Sequence, residues 1–178
     1  MSLKVVIIGG VAAGPKVAAK VMRLNPKAEV TVVEKGELLS YAGCGLPYFI
    51  SGTVKDQKEL MSTPAGVVRD TAFFQKVKNV RVLNETEALE IDRARKRVRA
   101  RPKGKREDFW LDYDKLVLAT GAKPVVPPIP NVNLGNIYTL HGVHDAGAIK
   151  SLLGEAKARD VVIIGGGLIG VETTEALV

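Results

Sequence analysis

The stretch LKVVIIGGVAAGPKVAAKVMRLNPKAEVTVVE, residues 3–34, decides the fold. Its first six residues, dominated by the β-branched Val5, Val6, Ile7 and Ile8, read as a buried strand, and Gly9 stops it. From Pro15 to about Leu24 the apolar residues Val17, Val21 and Leu24 recur at helical spacing, and Pro15 suits a first turn, where a missing N–H costs nothing. NPKA ends that helix, and EVTVVE is a second strand closing at Glu34. Strand, helix and strand make a βαβ unit, with parallel strands and a right-handed connection. The loop GGVAAG keeps Gly9 and Gly14 of a dinucleotide fingerprint but has Val11 at the middle glycine position. Glu34, about 20 residues beyond Gly14, falls where a carboxylate accepts bonds from a ribose diol. The plainer alternative is a solvated glutamate at a strand end.

The end of the chain repeats the plan. VVIIGGGLIGVETTEALV, residues 161–178, is again strand, glycine loop and helix, and Gly165, Gly167 and Gly170 make a strict GxGxxG between them. The first glycine permits the tight turn, the second lets the backbone approach a pyrophosphate, and the third lets helix and strand close together. The helix N-terminus supplies unpaired N–H groups for phosphates. Two such loops imply two dinucleotides and electron transfer between them. A parallel unit without its partner strand leaves an edge and a helix face uncovered, so the chain reads as part of a longer polypeptide.

Between the repeats, residues 54–78 read as mainly helical. VRVL, EALEI, KRVRA, DFWLD and KLVLAT, within residues 80–120, read as successive strands. The proline-dense KPVVPPIPN, residues 123–131, reads as an extended crossing segment, and residues 145–153 as a helix. The expected domains are residues 1–122, then a linker and helix start over 123–150, then the beginning of a second domain over 151–178.

Composition narrows the classes. The chain has 178 residues, 46% of them apolar, which suits one real core, and the opening MSLKVVIIGG lacks a cleavable leader pattern. No apolar run approaches membrane-spanning length, so the expectation is a cytoplasmic protein with no membrane partner. The net charge of +7 is local: nine of the 26 basic residues lie in RARKRVRARPKGKR, residues 93–106, and the remainder carries 17 basic against 19 acidic residues. Alternating Val98 and Ala100 with a Pro102–Gly104 turn make that run a solvated hairpin, and it lacks the aromatics of a single-strand platform. No nucleic-acid partner is expected. His141 and His144 read as loop and helix-cap residues, and no metal site is expected.

The only cysteine, Cys44, lies in SYAGCGLPYF between two glycines, ten residues beyond Glu34. It cannot form an internal disulfide, so it is either an inert core thiol or a chemical one. CGLPYFI opens a helix with Pro47 in its first turn, and a helix N-terminus favours the reactive thiolate. Ala42, Gly43 and Gly45 leave room for a flat ring and a second sulfur.

Taken in order, VVIIGGVAAG, Glu34, SYAGCGLPY, YDKLVLATGAKP and VVIIGGGLIGVE resemble the pyridine nucleotide-disulfide oxidoreductases. Within them they resemble the single-cysteine branch of CoA-disulfide reductases, persulfide reductases and NADH oxidases. The resemblance covers the whole chain, as the N-terminal portion of a typical member. It implies an α/β fold: a Rossmann-like FAD domain with a parallel sheet and an inserted antiparallel β-meander, then the truncated start of a Rossmann-like NAD(P)H domain. It implies that Gly9, Gly14 and Glu34 hold the adenine half of FAD, that Ala13 and Lys35 belong to the same cofactor site, that Ala88 meets the adenine through its backbone, and that Thr120, Gly121 and Ala122 form a second flavin-contacting turn. Gly165, Gly167 and Gly170 would serve NAD(P)H.

The implied reaction passes hydride from nicotinamide to flavin and electrons from flavin to an oxidised Cys44. The implied substrate is a small disulfide, persulfide or polysulfide, CoA-linked, because Ser40 and the helix stripe Lys16, Lys20 and Arg23 match CoA-contacting positions; Gly43, beside the cysteine, joins them as a substrate-binding residue. Spacings of four and three set those cations side by side. A solvated helix face is the competing reading, and Pro15 and Lys16 depart from the commonest members. The rival enzyme is an NADH oxidase or peroxidase, weakened by Ala12 where such enzymes carry a histidine in the glycine loop. A further rival is a catalytically silent fragment, since family members complete the FAD site and a homodimer with later segments. Weak or no flavin retention by residues 1–178 alone is therefore expected.

Overall fold

A computed structural model describes residues 2–154 and 160–178. In chain order the elements are β1 (Lys4–Ile8), α1 (Ala13–Leu24), β2 (Glu29–Val33), α2 (Leu46–Ile50), α3 (Thr71–Lys78), β3 (Arg81–Leu83), β4 (Thr86–Asp92), β5 (Arg97–Pro102), β6 (Phe109–Asp112), β7 (Lys115–Leu118), α4 (Val143–Gly154) and α5 (Leu168–Leu177). They group into two compact units. One comprises Met1–Tyr41 and Met61–Gly121, the other Ala42–Leu60 and Ala122–Val178.

The first unit is the expected α/β arrangement. Its parallel sheet has the order β3-β2-β1-β7, and an antiparallel sheet has the order β4-β5-β6. Side chains alternate across the parallel sheet. Val5, Ile7, Val30 and Val32 face one way and pack with Ala18 and Met22 of α1 and Phe74 of α3. Val6 and Val33 face the other way and pack with Val98 and Ala100 of the meander. Both faces of β1 and β2 are thus covered, which is why Val5–Ile8 is a continuous apolar run and Val30–Val33 is interrupted only by the half-buried Thr31. Ile7, Val32, Val33, Val80 and Val98 are among the side chains lost entirely from water; each such burial contributes about 1.5–3 kcal/mol.

Two readings of local structure need correction. The buried face of α1 is Gly14, Pro15, Ala18 and Met22, while Leu24 is 71% exposed. The helix turns small residues to the sheet, because Gly14 and Ala18 let its axis come close. Residues 54–78 are not mainly helical. A single turn over Gln57–Met61 and the helix α3 flank an irregular stretch containing an isolated Ser62–Val68 bridge. Pro64 and Gly66 lie inside that stretch, and both oppose helix propagation.

In the second unit α2 packs against α4 and α5. Lys150 of α4 fastens this packing. Its ammonium lies 4.0 Å from the Phe49 ring centre and donates to the carbonyls of Val54 at 3.2 Å and Lys55 at 3.4 Å. Val161–Ile164, expected as a strand, has no strand pairing among the described residues, and Val162 and Ile164 are 87% and 77% exposed.

Candidate functional site

The first glycine turn joins β1 to α1. Gly9 has φ +114°, a conformation that side chains disfavour, and its N–H donates to the Val33 carbonyl at 2.8 Å. A Cβ on Gly14 would fall inside the Gly9 carbonyl oxygen, so helix and turn can meet only at glycine. Beyond the turn, α1 starts bare: Ala12 at the N-cap offers no side-chain bond and the first turn holds no acid. By contrast α3 is capped by Asp70, which accepts from the Phe73 N–H at 2.7 Å. A helix start without its own cap leaves donors for an external anion.

Glu34 is bound into this turn. Its Oε2 accepts from the Gly10 N–H at 2.6 Å and its Oε1 from the Gly36 N–H at 2.7 Å. Each carboxylate oxygen keeps a second lone pair, so the group retains capacity for a diol. It is not a free strand-end glutamate. Gly10 itself is needed because a Cβ there would come within 2.8 Å of the Glu34 Cβ and 2.9 Å of a Leu39 methyl. The roles of Gly10 and Gly36 escaped the sequence reading, although the glycine doublet and the Glu-Lys-Gly spacing were visible. Lys35 is exposed and lines an open cleft of about 500 Å³ with Gly36, Arg101 and Lys103. Ala13 stands exposed as the first residue of α1.

The remaining first-unit candidates fall at three places. Ala88, half-buried on β4, pairs with Ala100 and packs on the Val6–Val33 face beside a register shift. Thr120 and Gly121 follow β7, with Gly121 at φ +67°, and Ala122 begins the next segment of the second unit. Lys16, Lys20 and Arg23 are exposed on α1, and none is ion-paired among the described residues. Ser40 has φ +50°; its N–H donates to the Gly10 carbonyl at 2.9 Å, and its carbonyl accepts from Arg69 Nη1 at 3.1 Å. No sequence signal pointed to Arg69, 29 residues away.

The cysteine turn belongs to the second unit. Cys44 is exposed in a single helical turn, Gly43–Gly45, that runs into α2. The turn is held from both sides: the Ala42 N–H donates to the Leu60 carbonyl at 2.9 Å, and Leu46 and Pro47 are buried just after it. A Cβ on Gly45 would press to 2.6 Å from a Leu60 methyl, whereas one on Gly43 would meet no atom within 4 Å. The thiol therefore sits on a fixed turn with one open flank. An inert core thiol is excluded by its exposure.

The second glycine turn reproduces the first. Gly165 has φ +124°, a Cβ on Gly170 would again fall inside the carbonyl oxygen of the first glycine, and Gly167 at the N-cap of α5 provides no side-chain bond.

The basic run is largely paired within the meander. Asp92 bonds Arg95 and Arg97, Asp108 bonds Arg99 and Arg101, Glu90 bonds Arg99, and Glu85 bonds Lys103. The Arg101 guanidinium, with Arg99 beside it, holds Asp108 below the usual carboxylate range. Asp92 is held low by the Arg95 backbone N–H and by the two arginines. Arg97 also stacks on Trp110 at 4.0 Å. His141 lies in a loop and exposed His144 lies within α4; Asp145 accepts from the N–H groups of His141 and Gly142 at 2.8 and 3.2 Å. Among the described residues no group of acidic, His or Cys side chains is arranged for a metal, and no helix is long and apolar enough to cross a membrane.

A parallel sheet entered by a glycine turn, a bare helix start and a strand-end carboxylate bound to that turn define a Rossmann-type dinucleotide-binding protein. Residues 3–178 match the model of the pyridine nucleotide-disulphide oxidoreductases, and the chain belongs to that family. Among curated relatives it is similar to the NAD(P)H coenzyme A polysulfide/persulfide reductase of Pyrococcus horikoshii, 42% identical over 99% of this chain and 37% of the relative. It is also similar to the NADH oxidase of Methanocaldococcus jannaschii, at 31% over 98% and 38%, and the coenzyme A disulfide reductase of Staphylococcus haemolyticus, at 30% over 98% and 38%. Among solved structures it resembles a NAD-dependent persulfide reductase from A. fulgidus, with TM-score 0.93 and 44% identity over 98% of this chain and 32% of that one. The chain thus spans a little over a third of the length of these curated relatives.

Proposed function

We propose that this chain is the N-terminal part of an NAD(P)H-dependent flavoprotein that reduces CoA disulfide, or a CoA-linked persulfide or polysulfide, through Cys44. The observation that carries this reading is the exposed single thiol on a glycine-flanked turn anchored by Leu46, Pro47 and Leu60. In this reading Gly9, Ala13, Gly14, Glu34, Lys35, Ala88 and the Thr120–Ala122 turn hold FAD, and Gly165, Gly167 and Gly170 hold NAD(P)H. FAD supplies exchange of a nicotinamide hydride for an electron pair that reduces sulfur.

The chain's own chemistry is thiol–disulfide exchange. The Cys44 thiolate attacks one sulfur of CoA disulfide; a mixed disulfide forms and one CoA thiolate leaves. Two electrons then cleave the mixed disulfide, returning the Cys44 thiolate and releasing the second CoA thiolate, which takes up a proton. Gly43 leaves the approach open. Lys16, Lys20, Arg23 and Ser40 engage the CoA moiety, three cations suiting a ligand with several phosphates. Ala12 lies at the loop position that would hold the oxidase histidine, which favours sulfur over oxygen as acceptor. The complete protein is proposed to be a cytoplasmic homodimer.

The test is NAD(P)H oxidation by the complete, FAD-loaded polypeptide. CoA disulfide should drive turnover faster than oxygen or peroxide, and Cys44→Ser should abolish it. Faster turnover with oxygen, also lost in Cys44→Ser, would make it an NADH oxidase.

A further inference from the structure

We infer that Arg69 is a positioning residue for Ser40 and sets the affinity for the CoA-linked substrate through it, an inference that rests on the functional reading above. Ser40 adopts φ +50°, which an L side chain disfavours, so the surroundings must hold it there. They do so at both peptide links. Its N–H reaches the Gly10 carbonyl at 2.9 Å, and its carbonyl receives Arg69 Nη1 at 3.1 Å. The other arm of the same guanidinium, Nη2, donates to the Ser62 carbonyl at 2.9 Å.

Arg69 is itself braced. Its backbone N–H donates to the Met61 carbonyl at 3.1 Å, and the adjoining Val68 bridges Ser62. Arg69 is half-buried, and none of the ion pairs among the described residues includes it. A guanidinium engaged with two backbone carbonyls in place of a carboxylate acts as a strut, because its planar fork holds donors at a fixed spread. What it fixes is the direction of the Ser40 Cα–Cβ bond, and hence the arc its hydroxyl can reach, relative to the Gly10 peptide. A lysine offers a point charge on a flexible stem and reproduces that constraint only in part.

The experiment compares Arg69→Gln, Arg69→Lys, Ser40→Ala and the double variant in the complete FAD-loaded polypeptide. KM and kcat are measured with CoA disulfide, and calorimetry measures the Kd for CoA. Arg69→Gln should raise both KM and Kd about tenfold, the loss of one charge-assisted bond, with kcat within about twofold. Arg69→Lys should recover most of that, and Arg69→Gln should cost much less in the Ser40→Ala background. Unchanged KM and Kd, a fall in kcat alone, or full additivity with Ser40→Ala would overturn the inference. If Arg69→Gln does not fold, Arg69→Lys decides it: a KM raised about threefold supports the strut and an unchanged KM overturns it. A wild type that does not turn over CoA disulfide refutes the functional reading; a tenfold weaker Kd for CoA in Arg69→Gln would still uphold the strut.

Discussion

The two glycine turns are near copies in backbone and opposites in setting. Both begin with a glycine at φ above +110°, both close on a glycine whose Cβ would strike the first one's carbonyl, and both open a helix without a side-chain cap. The first turn follows a strand paired on both sides and locks a carboxylate into its own peptide bonds. The second follows Val161–Ile164, exposed and without a strand partner among the described residues. The difference separates what is local from what is not. Glycine positions dictate the turn within six residues, whereas a strand exists only where another strand accepts its hydrogen bonds.

The largest expected consequence is in amide exchange. In the 178-residue chain, Val161–Ile164 should exchange at least about a thousandfold faster than Val5–Ile8, since core strands open only with the whole unit. Equal protection would mean that the second strand is paired after all. A steric test comes next. Gly14→Ala and Gly170→Ala create the same overlap, yet Gly14→Ala should lower stability in urea unfolding by about 3–5 kcal/mol and Gly170→Ala by less than about 1 kcal/mol, because only the first turn follows a strand paired on both sides. Similar losses would show that the second turn is as firmly embedded as the first.

Smaller effects probe what holds the first turn. Glu34→Gln replaces one acceptor oxygen with a donor facing a peptide N–H, and should cost about 1–3 kcal/mol in chemical denaturation. A neutral result would mean that Gly10 and Gly36 do not depend on the carboxylate. The smallest effect lies in the meander. Asp108 is held below its ordinary value near 3.8 by Arg101 and then Arg99. A depressed carboxylate contributes stability that is present above its unfolded value and is lost as pH falls through the lower folded value. Asp108→Asn should therefore speed β5–β6 amide exchange slightly at neutral pH, and the difference from wild type should vanish in acid. A difference that grew on acidification would contradict the sign.

Much of the fold was legible because its signals are short-range. The apolar runs of β1 and β2, the glycine spacing of both turns and the alternation of β5 each report a neighbourhood of a few residues. What was misread depends on partners distant in sequence. Leu24 fits a helical period with Val17 and Val21, but the sheet selects the narrower seam of Gly14, Ala18 and Met22. Residues 62–69 form a bridge and an arginine strut whose carbonyl partners include Ser40, and no periodicity encodes such a contact. Glu34 was found by spacing, yet its clasp by Gly10 and Gly36 became visible only with the turn in place.

The reading of Cys44 is tested most directly by intact mass. The complete FAD-loaded polypeptide, exposed to CoA disulfide without NAD(P)H, should gain one CoA per chain as a mixed disulfide while one CoA thiolate is released. NAD(P)H should remove it, and Cys44→Ser should never acquire it. A wild-type chain that gains no CoA, or a Cys44→Ser chain that gains as much, would contradict the account.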